Sequence, residues 1–268
     1  MYNAQQTIDF SGKTVIVTGG SMGIGEGCAR VFISAGANVV ICARGVEAGK
    51  KLESELSSHY GEEKCLFVQC DVSNEDQVKN VIGKTLEKYG RLDCLINNAG
   101  VHPEDERIDD VSVEMFNELL VLNLTSIFMF CKYALPHLRK TQGSIINMSS
   151  LVGVMGQRLA CRYVPTKSAI IGLTKALAID EAENNVRVNC VLPACVVTPL
   201  GEKLMNLTDD PAKQQKLIDS WHQVGRTGSI TEVGSVCLFL ASDMASFLTG
   251  IEISVSGGAD LGYGVKFF

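Results

Sequence analysis

A chain of 268 residues, 46% hydrophobic and 20% charged, carries enough apolar surface for a sizeable core, which excludes a disordered or collagen-like polymer. Its 24 Lys+Arg against 30 Asp+Glu leave a formal charge of −6 with no run of five like charges, so no nucleic-acid partner is expected. Ten cysteines stand singly, without a C-x-x-C pair and mostly inside apolar stretches, which predicts buried thiols in a reducing, cytoplasmic compartment. Residues 1–12 lack the basic and apolar regions of a secretory signal, and no uncharged apolar run approaches the roughly 20 residues that span a bilayer. No membrane association is expected.

In chain order, the run 13–18 (KTVIVT) lacks polar alternation and predicts a strand buried on both faces. A glycine-rich turn and a helix over 23–35 follow it. Further strands are expected near 38–42, 64–70, 91–96, 144–148, 186–192 and 250–255, separated by helices near 46–58, 74–89, 112–138, 162–183 and 231–241. Seven strands with helical crossovers predict an α/β fold: a Rossmann-type doubly wound parallel sheet with helices on both faces, and ligands beyond the carboxyl ends of the strands. The polar, amphipathic segment 198–225 fits neither a strand nor a buried helix and is expected to form a lid. With no repeat and no linker, residues 1–268 read as a single domain.

Chemistry-bearing residues gather at the predicted strand ends. Thr18-Gly19-Gly20-Ser21-Met22-Gly23-Ile24-Gly25 joins the first strand to the first helix, and its glycines let backbone approach a pyrophosphate favoured by the helix N-terminus. Tyr163 and Lys167 lie four apart at a helix start, so they share a face. An ammonium beside a phenol favours phenolate, which makes proton transfer feasible near neutral pH. Pro165 falls in the first helical turn, where a missing N–H is harmless.

The spacing G-x-x-x-G-x-G, then Asn97-Asn98-Ala99-Gly100, Asn123, Ser150 and Tyr163-Val164-Pro165-Thr166-Lys167, in this order and at these sheet positions, resembles the short-chain dehydrogenases/reductases over essentially the whole chain. The resemblance implies an NAD(P)(H)-dependent oxidoreductase interconverting a secondary alcohol and a ketone or lactone by hydride transfer, without a metal. It makes Tyr163 the general acid/base, Lys167 its partner and the holder of the nicotinamide ribose, Ser150 a hydrogen bonder of the reacting oxygen, and Asn123 the holder of a relay water. It also implies nucleotide contacts from Gly19, Ser21, Met22, Gly23, Ile24 and Gly25, from Asp71 and Val72 at the adenine, from Asn98, Ala99 and Gly100 under the ribose, and from Pro193, Val196 and Thr198. Ala194 stands where the family usually has glycine, which narrows the backbone conformations open to this turn.

At the end of the second strand, Ala43 replaces the carboxylate of NAD-preferring members and Arg44 follows it, which favours NADP(H) while leaving NAD(H) possible; the alternative is that Arg44 is a solvated loop charge. His102 and Gln157 flank the expected reaction centre and suit a hydroxylated substrate, unless His102 only caps its loop and Gln157 faces solvent. Met155, Val197 and Leu200 offer apolar surface that suits a steroid. Stretches such as 149–157 and 257–264 resemble a subgroup of hydroxysteroid and L-fucose dehydrogenases, so steroid and sugar both stand as substrates, with carbonyl or 3-oxoacyl reduction as the alternative reaction and a non-catalytic redox sensor further behind. The tail 261–268, with Tyr263, Phe267 and Phe268, is expected to lie near a neighbouring subunit's site in a homotetramer.

Overall fold

The computed structural model describes residues 8–198, 201 and 210–261. β1 (Thr14–Thr18) is buried at every position, as its unbroken β-branched run requires, and it is an interior strand, third in a seven-stranded sheet ordered β3-β2-β1-β4-β5-β6-β7. Its partners are β2 (Asn38–Ala43) on one side and β4 (Cys94–Asn97) on the other, both parallel. β3 (Cys65–Gln69) closes one edge, while β5 (Ser144–Met148), β6 (Arg187–Pro193) and β7 (Glu252–Val255) extend the other, again all parallel. The chain reverses direction across the sheet between β1 and β4, which opens a crevice at their carboxyl ends.

Each face of the sheet has its own apolar layer. One face packs α3 (Glu75–Tyr89), α5 (Ser126–Thr141) and α7 (Tyr163–Asp180) through Val78, Phe130, Leu138 and Ile170. The opposite face packs α1 (Gly23–Ser34), α2 (Val46–Tyr60) and a late helix, Ile230–Ala241, through Cys28, Phe32, Leu52 and Leu240. Full burial of a side chain such as Phe32 or Phe130 contributes about 1.5–3 kcal/mol, so these layers hold the strand ends in place. All of the cysteines are free, and all but Cys161 and Cys195 are buried, in keeping with the apolar stretches that carry them.

The helix expected over 112–138 has three parts: α4 (Val113–Leu120), a π turn over Val121–Thr125, and α5. By length and composition the stretch Val113–Thr141 could cross a membrane, yet half of its most apolar window is buried in the protein. Sequence periodicity also passed over a short helix, α6 (Val152–Met155), bounded by Gly156 at a left-handed φ of 82°. Within the expected lid, α8 (Pro211–Asp219) starts with Asp210 capping Lys213 N at 3.0 Å and Pro211 in the first turn, an Asp-Pro start signal that the sequence carried. The remainder of that lid, 199–200 and 202–209, lies outside the described residues, as does the tail beyond Leu261.

Candidate active site

The crevice is a cleft of about 510 Å³ that runs from Ala43 and Arg44 past the glycine turn to Ser150, Tyr163 and Lys167. Its phosphate end is made of backbone. Thr18 Oγ1 accepts from Asn98 N at 2.9 Å and Ala99 N at 3.0 Å, and Asn98 Nδ2 donates to the Thr18 carbonyl at 2.9 Å, so the β1 and β4 ends are stapled together. A Cβ on Gly25 would meet the Gly19 carbonyl oxygen at 2.3 Å, so only glycine lets α1 start this close to the turn. Gly23 adopts a left-handed φ of 58° and faces little but the Thr198 methyl, at 3.5 Å from where a Cβ would stand. Met22 caps α1 with extended backbone and no side-chain bond, leaving the first amides of the helix to an anion. This cradle fits a dinucleotide pyrophosphate.

At the adenosine end, Ala43, Arg44, Cys70 and Val72 line the wall. Asp71 does not: its Oδ1 accepts from Ser73 N at 3.0 Å and Ser73 Oγ at 2.6 Å. Those bonds, with the Arg44 charge, hold its carboxyl below the usual range. Both of these bonds end on Oδ1, which ties Asp71 to its own turn and leaves Oδ2 open, while Cys70 and Val72 line the wall.

At the reaction end, α7 begins at Tyr163, and Pro165 sits in the first turn as expected. Lys167 follows one turn later, 5% exposed, and its Nζ donates to the Met148 carbonyl at 3.0 Å. The ammonium stands 5.7 Å from the Tyr163 ring centroid, over the ring. Burial pushes the phenol up to about 12, against which a hydrogen bond with Ser150 acts, and burial brings the lysine down to about 8. Burial is the largest influence on both groups in this structure.

Asn123 is fully buried within the π turn, a type of irregularity common at functional sites. Its Oδ1 accepts from Val101 N at 3.0 Å, and its Nδ2 donates to the Val101 carbonyl at 2.9 Å and to Thr166 Oγ1 at 3.3 Å. It stands behind the wall, not on it, yet close to Lys167: a Cβ on Gly100 would lie 3.1 Å from Asn123 Oδ1 and 3.6 Å from Lys167 Nζ. Sequence reading missed Ser149, which lines the cleft and whose Oγ donates to the Lys167 carbonyl at 2.7 Å. The Ser149-Ser150 doublet was the available signal. It also missed Leu122 and the Met148 carbonyl, which no residue pattern marks.

The outer rim comes from two loops. The His102 ring stacks on Tyr163 with centroids 4.2 Å apart and planes tilted by 48°; its Nδ1 meets the Pro103 carbonyl at 2.7 Å and its Nε2 meets Gln157 Oε1 at 3.3 Å. His102 therefore both ties its loop and lines the cleft. Met155 and Val197 are 58% and 45% exposed and stand off the wall, whereas Pro193, Ala194 and Thr198 are on it. Ala194 avoids the left-handed region, and its N–H donates to the Val255 carbonyl at 3.2 Å, so the missing glycine costs no strain. Val196 bridges to Gly228 and faces a separate cavity of about 140 Å³ instead of the nucleotide cleft. Leu200 lies outside the described residues. No cluster of metal ligands exists among the described residues.

Known proteins resemble this chain over nearly its whole length. The family profile described as Enoyl-(Acyl carrier protein) reductase matches residues 19–260. The L-fucose dehydrogenase of Bos taurus is 46% identical over 257 residues, covering 96% of this chain and 93% of its own. The 2,5-dichloro-2,5-cyclohexadiene-1,4-diol dehydrogenase of Sphingobium indicum is 35% identical, covering 93% and 98%. Among solved structures, Cj0485 dehydrogenase superposes with a TM-score of 0.88 at 32% identity, over 97% of this chain and 100% of that one. The chain belongs to the short-chain dehydrogenase/reductase family, oxidoreductases of alcohols that bind an NAD(P) nucleotide.

Proposed function

We propose that this enzyme oxidises the hemiacetal hydroxyl of L-fucose to the lactone, with NADP as the favoured acceptor and NAD as a possible one. The observation that carries the sugar is His102, which lies against Tyr163 on the cleft wall and offers its Nε2, with Gln157 3.3 Å away, as a polar rim beside the reacting group. Nearly full-length likeness to the L-fucose dehydrogenases of Bos taurus, at 46%, and Mus musculus, at 45%, supports the same reading. A hydroxysteroid is the weaker substrate, because the nearly full-length likeness is to relatives named for L-fucose; Met155, Val197 and Gln157 alike stand outside the cleft wall. Carbonyl or 3-oxoacyl reduction remains the second reading; the Ala43-Arg44 pair at the end of β2 favours it through NADPH use.

When bound, the nicotinamide supplies the acceptor for a hydride from the carbinol carbon. Ser150 holds the reacting oxygen and Tyr163 Oη takes its proton, both side chains lining the same end of the cleft. Lys167, fixed by the Met148 carbonyl, keeps a cation beside the ring as charge develops, and Asn123 leads from the Val101 backbone toward that ammonium. Arg44, on the cleft wall at the end of β2, would hold the 2′-phosphate of NADP. A cytoplasmic homotetramer completes the reading, supported by the exposed aromatic rings of Phe128 and Phe247. The test is the initial rate of reduced-nicotinamide formation with L-fucose and with estradiol, each offered NADP and NAD. Fast turnover of the sugar with NADP is expected; turnover of the steroid alone, or of neither, overturns the substrate.

A further inference from the structure

We propose that the separate cavity of about 140 Å³ beside Val196 is a second binding site, for a small uncharged hydroxyl compound of about the size of phenol, whose O–H donates to Nε2 of His222. The site is distinct from the nucleotide cleft and independent of which alcohol is oxidised there.

His222 lines this cavity just beyond the end of α8 and is 2% exposed. Its Nδ1 meets the Ile218 carbonyl at 3.0 Å, one of the last-turn carbonyls that a helix leaves without an intrahelical partner. A carbonyl only accepts, so Nδ1 carries the proton, and in the neutral ring Nε2 keeps a bare lone pair. That nitrogen is buried and has no hydrogen-bond partner among the described residues. A buried acceptor without a donor is destabilising, and a ligand hydroxyl placed there supplies the donor.

The rest of the wall sets the character of the occupant. Val196, Val224, Val233 and Val255 make it apolar. Its charges cancel, because Arg226 Nη1 and Nη2 donate to the two oxygens of Glu232 at 2.9 and 2.6 Å. Ser229 Oγ accepts from Glu232 N at 3.3 Å and Ser256 Oγ donates to Asp260 Oδ1 at 2.7 Å, so both hydroxyls are engaged. Burial raises the Cys195 thiol, which therefore stays uncharged on this wall. A neutral molecule with one donor and an apolar body fits such a lining. Water would offer Nε2 the same O–H but would wet the valines, whereas an apolar cavity of roughly 150 Å³ takes a benzene-sized molecule. Pro193, Ala194 and Thr198 face the nucleotide cleft while Cys195 and Val196 face the cavity, and Val197 N and Gly228 N tie this stretch to the next loop by bonds of 2.9 and 3.0 Å. One stretch of chain thus separates the two sites, and both can be filled at once.

The test is a nuclear magnetic resonance titration of ¹⁵N-histidine-labelled wild-type protein at pH 8, where an ordinary imidazole is neutral. The His222 ring is assigned by elimination with His59→Gln, His102→Gln and His137→Gln. In the free protein it should be protonated on Nδ1 and bare at Nε2; a proton on Nε2 overturns the site. Phenol, which hydride transfer cannot oxidise, should move the Nε2 resonance toward that of a protonated nitrogen with a dissociation constant on the order of 1 mM. Toluene has the same shape without the O–H and should bind about fivefold more weakly, the worth of one hydrogen bond. With nucleotide bound in the cleft, the phenol affinity read at His222 should stay within about twofold. An unmoved resonance, equal affinity for phenol and toluene, or loss of the response once nucleotide is bound overturns the proposal.

Discussion

The nucleotide end of the cleft is walled by backbone that only glycine permits, whereas the substrate rim is walled by side chains on two loops that hold each other by a few polar contacts. At the first, Gly25 fits under the Gly19 carbonyl and Thr18 clamps two strand ends, so the wall is as stiff as the sheet beneath it. At the second, His102, Gln157 and Asp105 are all exposed and depend on one another for orientation. A shared cofactor chemistry needs the first kind of wall. A variable substrate needs the second, in which single side chains can change without disturbing the core.

The sharpest break lies where the two ends meet. Tyr163→Phe should lower kcat about 10²- to 10⁴-fold while the nucleotide dissociation constant, read by calorimetry, stays within about twofold, because the phenolic proton serves chemistry only. Unchanged turnover would remove Tyr163 from the reaction.

Lys167→Met comes next, with the sign reversed between activity and stability. The folded lysine titrates near 8 against an ordinary 10.5, so the folded state binds fewer protons between those values. Wild-type stability should therefore rise as pH climbs from about 8 to 10.5, and below that window the buried charge costs on the order of 3 kcal/mol. The methionine variant should be inactive, more stable in urea at pH 7, and flat with pH across the window. A variant less stable than wild type at pH 7 would show that the Met148 contact outweighs desolvation.

Two smaller effects separate the ends of the nucleotide wall. Gly25→Ala forces a Cβ to 2.3 Å from the Gly19 carbonyl, and overpacking costs of about 1–3 kcal/mol correspond to a roughly 10- to 100-fold loss of nucleotide affinity. Arg44→Asp leaves the cradle intact and should move the NADP-to-NAD ratio of kcat/KM by about tenfold toward NAD, the worth of one charge-assisted bond. An unmoved ratio would make Arg44 the solvated loop charge.

Much of this was legible in the residues. The apolar run 13–18 became β1, and every other expected strand and helix is present, because unbroken β-branched runs and 3.6-residue periodicity are local signals that packing here reinforces. The glycine spacing and the Tyr163–Lys167 pair were equally legible, since turn geometry and a helix face follow from short stretches of chain. Other features were hidden. The π turn around Asn123 leaves no mark in hydrophobic periodicity, and no local pattern marks the Met148 carbonyl as the partner of Lys167.

By itself, then, the sequence determined the sheet strands, the phosphate turn and the placing of Tyr163 and Lys167 on one helix face, all of which are set by neighbours within a few residues. The tertiary structure alone decided what surrounds that pair: Lys167 bound to Met148 and depressed by burial, His102 laid against Tyr163, and Asp105 brought from 52 residues away in the chain to the Gln157 amide. Burial and hydrogen-bond direction depend on atoms that are distant in sequence, and both exist only once the two loops have met over the end of the sheet.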